Sequence, residues 1–200
     1  YRFSKKYANF SASHKTRVKV VFAGSNDGML HAFRLDTGEE LWAFIPPMLN
    51  AKLKEMVSAE PNKSMSIFGV DSTPVVKDIF LNGKWKTIVM GGLGMGGHGY
   101  YALDVTDSGS PKHLFSFAYD PNTKQGNTWI GINGTKNTTN DFNQLGEAWS
   151  KPLILRVPIE GSSRWVAVVG GGFNGGNVRE YGSVVYVLDL EDGGRVLRKI

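Results

Sequence analysis

Two hundred residues with a formal net charge of +5 and no cysteine are enough chain for a sizeable core, yet exclude disulfides, cysteine-ligated zinc and a thiol nucleophile. Glycine is the outlier, at 25 of the 200 residues, against roughly 7% in an average protein. Aromatic residues at 12% exclude a disordered glycine-rich linker, and no apolar run reaches the roughly 18 residues of a membrane-crossing helix.

The charge sits at the front. Residues 1–26 hold Arg2, Lys5, Lys6, Lys15, Arg17 and Lys19 and no acid, while the other 17 basic residues face 18 acidic ones. No RNA-stacking motif or recognition helix accompanies this charge, so residues 1–17 are expected as a solvated basic connector with no nucleic-acid partner. Tyr1–Thr16 also lacks the apolar core of a signal peptide.

From Val18 onward a unit recurs. Its first copy reads VKVVFAG SNDG MLHAFRLD TGEE LWAFIP, Val18 to Pro46; the second runs from Trp85 to Phe117 and the third from Arg164 to Ile200. Gly24, Gly91 and Gly170 align, and so do Leu35-Asp36, Leu103-Asp104 and Leu188-Asp189. The later copies carry a preceding strand, STPVVKDIF from Ser72 and SKPLILRV from Ser150; Pro74 to Gly91 is 17 residues and Pro152 to Gly170 is 18. Short Val/Ile/Phe runs ended by glycine read as strands of an antiparallel sheet. Asp36–Glu39 and Glu191–Gly194 read as hairpin turns, and Asn26-Asp27-Gly28 as a type I′-style turn rather than a calcium loop.

The fold class expected is all-β: a β-propeller of four-stranded antiparallel blades, quinoprotein-dehydrogenase-like, with about three blades at 18–46, 70–118 and 148–200. The first copy lacks its own inner strand and a propeller closes with about four to eight blades, so the chain is expected to be an excerpt that needs the rest of the propeller to close. Two insertions interrupt the repeat. Residues 48–61 carry Leu49, Leu53 and Met56 at helical spacing with Pro61 as a stop, and are expected as a short helix on one propeller face. Residues 119–147, rich in Asn, Thr and Gly, are expected as an extended surface loop, where propellers place binding functions.

No residue pattern assembles a catalytic, cofactor or metal site. Gly92–Gly97 and Gly170–Gly176 are followed by strands, whereas a dinucleotide fingerprint needs a helix. His14, His31, His98 and His113 are isolated, and no spacing singles out Asp120 or Asp141 as calcium ligands. Asp36, Asp104 and Asp189 recur in every copy, as turn-makers do and a catalytic group need not. Asn62, Asn133 and Asn137 head N-x-S/T triplets, which matter only in a eukaryotic secreted protein.

The string SNDGMLHAFRLDTGEELWAFIP resembles the opening of the C-terminal propeller of the PilC/PilY family of type IV pilus-associated adhesins and biogenesis factors. FGVDSTPVV, TIVMGGLGMGGHGYYALDVTD, LGEAWSKPLI, VAVVGGGFN and YVLDLEDGGRVLRKI are similar in the same order, so the likeness covers roughly residues 7–200. The resemblance implies a non-enzymatic module acting in pilus biogenesis, extension–retraction control and surface adhesion. It implies pilin or minor-pilin partners, a host or abiotic surface, and a Gram-negative cell surface, pilus tip or outer membrane reached through the periplasm. A family calcium site is expected outside this stretch, beyond Ile200, and no ligand is carried over. Two alternatives share the fold: a pyrroloquinoline-quinone-dependent dehydrogenase, and an outer-membrane assembly scaffold binding an extended peptide.

Overall fold

The computed structural model describes residues 1–58, 67–131, 134–159, 161–174 and 181–200. Their strands form three antiparallel sheets in which sequence neighbours are always sheet neighbours. The first contains β1 (Val20–Gly24), β2 (Leu30–Arg34) and β3 (Glu40–Phe44). The second contains β4 (Val75–Leu81), β5 (Lys84–Gly92), β6 (Gly99–Asp104), β7 (Lys112–Asp120), β8 (Gln125–Ile130) and β9 (Thr135–Thr139). The third contains β10 (Leu153–Ile159), β11 (Ser162–Gly170), β12 (Val185–Asp189) and β13 (Arg195–Lys199). This is the all-β propeller-blade arrangement that the repeat implies.

Side-chain alternation makes the middle blade two-faced. On β5, Ile88 and Met90 join a core shared with Ile154, Trp165, Ala167 and Tyr186 of the third sheet, while Val89 between them joins Leu30 and Leu49 on the first-sheet side. On β6, Tyr100 and Ala102 face the third sheet, and Tyr101 and Leu103 face the first. A blade so built has no polar face to give to water, so each sheet needs a neighbour on both sides.

Ladder register aligns the copies more finely than the glycines do. Val76 lies opposite Val89 and Leu153 opposite Val168, each two residues before Gly91 and Gly170. Ile88 pairs with Asp104 as Val166 pairs with Asp189, which places Lys86 and Arg164 at one equivalent position.

Three expectations change. Residues 119–147 are not an extended loop: β8 and β9 add to the outer side of the second sheet and make it six-stranded. Gln125–Ile130 shows no apolar–polar alternation, so its strand is not marked in the sequence. The connector is not merely solvated. It contains α1 (Tyr7–Ser13), a second helical segment that its composition did not announce. Tyr7 and Phe10, one turn apart, both lie against Trp85, with ring centres 4.6 and 6.3 Å away. Trp85 Nε1 donates to the Lys5 carbonyl at 2.8 Å, Tyr7 donates to Asp78 at 2.5 Å, and Arg17 donates to Thr87 at 2.7 Å. Arg156 lies 3.6 Å from the Tyr1 ring centre. Arg17 of the basic excess therefore helps anchor the leading segment to the second sheet, while Arg156 of the third sheet holds it through Tyr1.

The Asn26-Asp27-Gly28 turn is also not type I′. That type needs positive φ at both central residues, but of this trio only Gly28 has it, at 91°. The Gly28 N–H bonds the Ser25 carbonyl at 3.3 Å and Asp27 Oδ1 accepts from the Met29 N–H at 3.0 Å, so the aspartate side chain shapes the turn. A true two-residue connection of that kind occurs at Asn82-Gly83, with φ of 49° and 77° between β4 and β5.

The insertion after β3 begins as a 3-10 turn, Pro47–Leu49, and continues as α2 (Leu53–Ser58), while Pro61 lies outside the described residues. Leu49 is buried, and Leu53 and Met56 cover Gly28, so the helix lies on the face formed by the β1–β2 turn.

Candidate functional site

The recurring aspartates are used inside the fold. Asp104 accepts from the Thr106 N–H at 3.0 Å and pairs with Lys86 at 2.8 Å. Asp189 accepts from the Glu191 N–H at 2.9 Å and pairs with Arg164 at 2.6 Å. An aspartate and a basic residue at the same register positions pin the end of the third strand of a blade to its second strand. Asp36 is different: it is exposed and pairs with Arg34 beside it.

The glycine clusters are places where backbone meets backbone. A Cβ on Gly96 would collide with the Gly69 carbonyl, and one on Gly172 with the Glu147 carbonyl. Between blades, Val70 N–H bonds Ser25 O and Asp71 N–H bonds Leu93 O. In the next copy Gly94 N–H bonds Ala148 O, and Glu147 N–H bonds Phe173 O. The linkers 67–74 and 144–152 are thus clamped between successive glycine loops, so the glycines leave room for a passing backbone rather than forming a phosphate cradle. Among the described residues, no group of three or more His, Asp and Glu side chains converges as a metal site. Asn62 and Asn133 lie outside the described residues, and Asn137 is in β9 opposite Thr128.

His31 has charged company. Its Nε2 lies 2.9 Å from Asp27 and its Nδ1 2.9 Å from Glu40, so it ties the β1–β2 turn to β3. Burial alone would lower its pKa, but the hydrogen bonds to Glu40 and Asp27 outweigh this and raise it above the ordinary imidazole value. A raised folded-state pKa gives stabilisation that is full below the unfolded pKa of about 6.5 and is lost as pH rises through the folded value. Replacing His31 with Gln should therefore destabilise the protein in mildly acidic buffer and lose its effect as the buffer becomes alkaline. Denaturant melts of both proteins across this range check the sign; a gap that widens with pH contradicts it.

A concave site built from several elements lies beside the second sheet. It is a cleft of about 820 Å³ between the insertion, the Gly92–His98 loop and the outer strands β7 and β8. Its floor follows from register. Ala118 pairs with Asn127, and Trp129 pairs with Lys136, so all four line one face of β7, β8 and β9. One wall is the insertion, fixed by Lys52 Nζ donating to the Gly96 carbonyl at 2.6 Å. The other wall carries His98, whose ring lies 6.3 Å from that of Tyr119 at 24°. His98 Nδ1 is 3.1 Å from the Leu145 carbonyl, which only accepts, so Nδ1 carries the proton. Burial pushes the His98 pKa down. The neutral ring therefore keeps Nε2 as an acceptor. Asn127 is 4% exposed, its Nδ2 reaches Gln125 O at 3.4 Å, and its Oδ1 has no hydrogen-bond partner.

Neither Asn127 nor Trp129 was singled out by sequence, and the cleft itself depends on folding the 119–147 stretch back into strands. The available signal was the short strand-favouring run Thr128-Trp129-Ile130.

Residues 2–200 match the family described as the PilY1 beta-propeller domain. The chain is 34% identical over 187 residues, 94% of its own length, to the type IV pilus biogenesis factor PilY1 of a Pseudomonas aeruginosa strain. It is 33% identical over 168 residues, 84% of its length, to a type IV pilus biogenesis factor PilY1 homolog of Xylella fastidiosa. It spans only 14% and 12% of the lengths of these relatives. The crystal structure of the Pseudomonas aeruginosa PilY1 C-terminal domain superposes with a TM-score of 0.64 at 30% identity, covering 97% of this chain and 32% of that one.

Proposed function

Because the chain belongs to the PilY1 β-propeller family, we propose that it is a non-enzymatic propeller module of a type IV pilus-associated protein, acting in pilus biogenesis, extension–retraction control and surface adhesion. The observation that carries this reading is the family match across residues 2–200, reinforced by relatives named as pilus biogenesis factors. Its partners in this reading are pilin or minor pilins and a host or abiotic surface. Its location is the cell surface, pilus tip or outer membrane, reached through the periplasm; no helix among the described residues is long and apolar enough to cross a membrane. A calcium site of the family kind belongs outside these residues.

Supporting a non-enzymatic role, the carboxylates at the repeat positions are engaged with backbone N–H groups and strand bases. Deleting residues 18–200 from the full-length gene should abolish or sharply reduce surface pili and twitching motility, with complementation by the intact gene. Normal piliation in the deletion strain overturns the biogenesis reading. Alcohol or sugar oxidation by purified full-length protein supplied with pyrroloquinoline quinone and calcium overturns the non-enzymatic one.

A further inference from the structure

We infer that the cleft between the insertion, the Gly92–His98 loop and the β7–β8 hairpin is a binding site for a neutral saccharide. This deepens the adhesion part of the proposed function and rests on it for its biological setting.

Three features point to this ligand class. First, the floor joins an aromatic ring, Trp129, to a carboxamide, Asn127, two residues apart on one face of β8. A sugar presents an apolar C–H face and a rim of hydroxyls, which such a floor can stack and hydrogen-bond together. Second, the buried Oδ1 of Asn127 accepts no hydrogen bond within the protein. An unmet buried acceptor carries a desolvation penalty, which a ligand O–H entering the cleft would relieve. His98 Nε2 is a second acceptor in the wall, fixed by the proton on Nδ1. Third, the charges are mixed. Lys52 and Lys136 stand against Glu55, Asp120 and Glu147, and Lys52 already donates to Gly96. No single sign dominates, as a strongly anionic or cationic ligand would require.

The volume suits a small oligosaccharide rather than a protein strand. Supply of the site is also structural: without β8 and β9, a four-stranded blade would have no floor beyond β7. The extra hairpin distinguishes the second sheet from the four-stranded third.

The test is saturation-transfer NMR and tryptophan fluorescence titration of the purified full-length protein with neutral oligosaccharides of glucose, galactose, mannose and N-acetylhexosamines. At least one should saturate, with transfer strongest to one C–H face of a ring. Trp129→Ala and Asn127→Ala should each weaken it by about tenfold or more, while Val76→Ala, on β4 and outside the cleft lining, should not. Should either cleft variant fold poorly, amide shift changes in the intact protein must still map to residues 127–129 and His98. The inference is overturned by no saturation with any neutral sugar, by binding that maps elsewhere, or by preference for a charged peptide. In cells, Trp129→Ala should keep pili and twitching but lose sugar-blockable attachment. Intact pili with unchanged attachment sink this inference alone, whereas normal pili after deleting residues 18–200 sink the wider reading.

Discussion

Phe142→Ala should lower stability by about 3–5 kcal/mol, the cost of truncating a fully buried phenylalanine and leaving a cavity. Phe142 follows β9 and is only 1% exposed. Its ring lies 4.2 Å from that of Phe117 in a near-parallel stack at 13°, and 5.6 Å from that of Tyr186. It thus sits between the second and third sheets and contributes to the seam that both need. Removing it strips contacts from two blades at once, and neither can slide to refill the space without disturbing the clamped linker at Gly146 and Glu147. Leu should recover most of the loss, since it restores volume but not the stack. Urea denaturation of the three proteins measures the series. A cost below about 1 kcal/mol, the range of a surface substitution, would show that the segment does not hold the blades together.

That prediction runs against the composition of its surroundings. Phe142 lies in an Asn-, Thr- and Gly-rich stretch that reads as a solvent loop, and nothing local distinguishes it from a loop aromatic. The blade strands were legible because each repeats and each is bounded by glycine. The turn-making aspartates were legible for the same reason: recurrence separates architecture from a site. What repetition could not expose was anything present once. The hairpin β8–β9 occurs in one sheet only, α1 depends on Trp85 some 75 residues away, and the cleft needs two single-copy elements, the insertion and the added hairpin, brought to one glycine loop. At Gln125–Ile130 the strand-favouring run Thr128-Trp129-Ile130 was too short to outweigh the polar composition around it. The type I′ assignment at Asn26-Asp27-Gly28 failed differently: Asn-Asp-Gly fits two turns equally well, and the choice depends on whether Asn26 and Asp27 take positive φ, which they do not.

Arg164→Met should be the costlier half of an unequal pair, losing about 3–5 kcal/mol, because it leaves a buried carboxylate without its cation. Asp189 is 0% exposed, while the Arg164 side chain is 38% exposed. Without Arg164, the carboxylate keeps the Glu191 N–H at 2.9 Å and a distant Arg195 at 3.9 Å. Without the charge on Asp189, the guanidinium turns to water. Asp189→Asn should therefore cost less, about 1.5–3 kcal/mol for a lost charged hydrogen bond, with its amide oxygen still free to accept from Glu191. The double variant should be less destabilised than Arg164→Met plus Asp189→Asn would sum to, since the second change removes the stranded charge. The equivalent pair in the second sheet provides the control. Lys86 and Asp104 are 28% and 11% exposed, and Thr106 donates to Asp104 through both its N–H and its hydroxyl. Lys86→Met should accordingly cost less than Arg164→Met. Burial pushes the Asp104 carboxyl upward, but its hydrogen bonds with Lys86 and Thr106 outweigh that and hold its pKa below the ordinary value. A lowered folded-state pKa gives stabilisation that is present above the unfolded value of about 3.9 and is lost as pH falls through the folded one. The Lys86→Met penalty should thus fade on acidification through that range. Equal costs for Lys86→Met and Arg164→Met at neutral pH would show that burial of the carboxylate does not set the energy of this strand-to-strand tie.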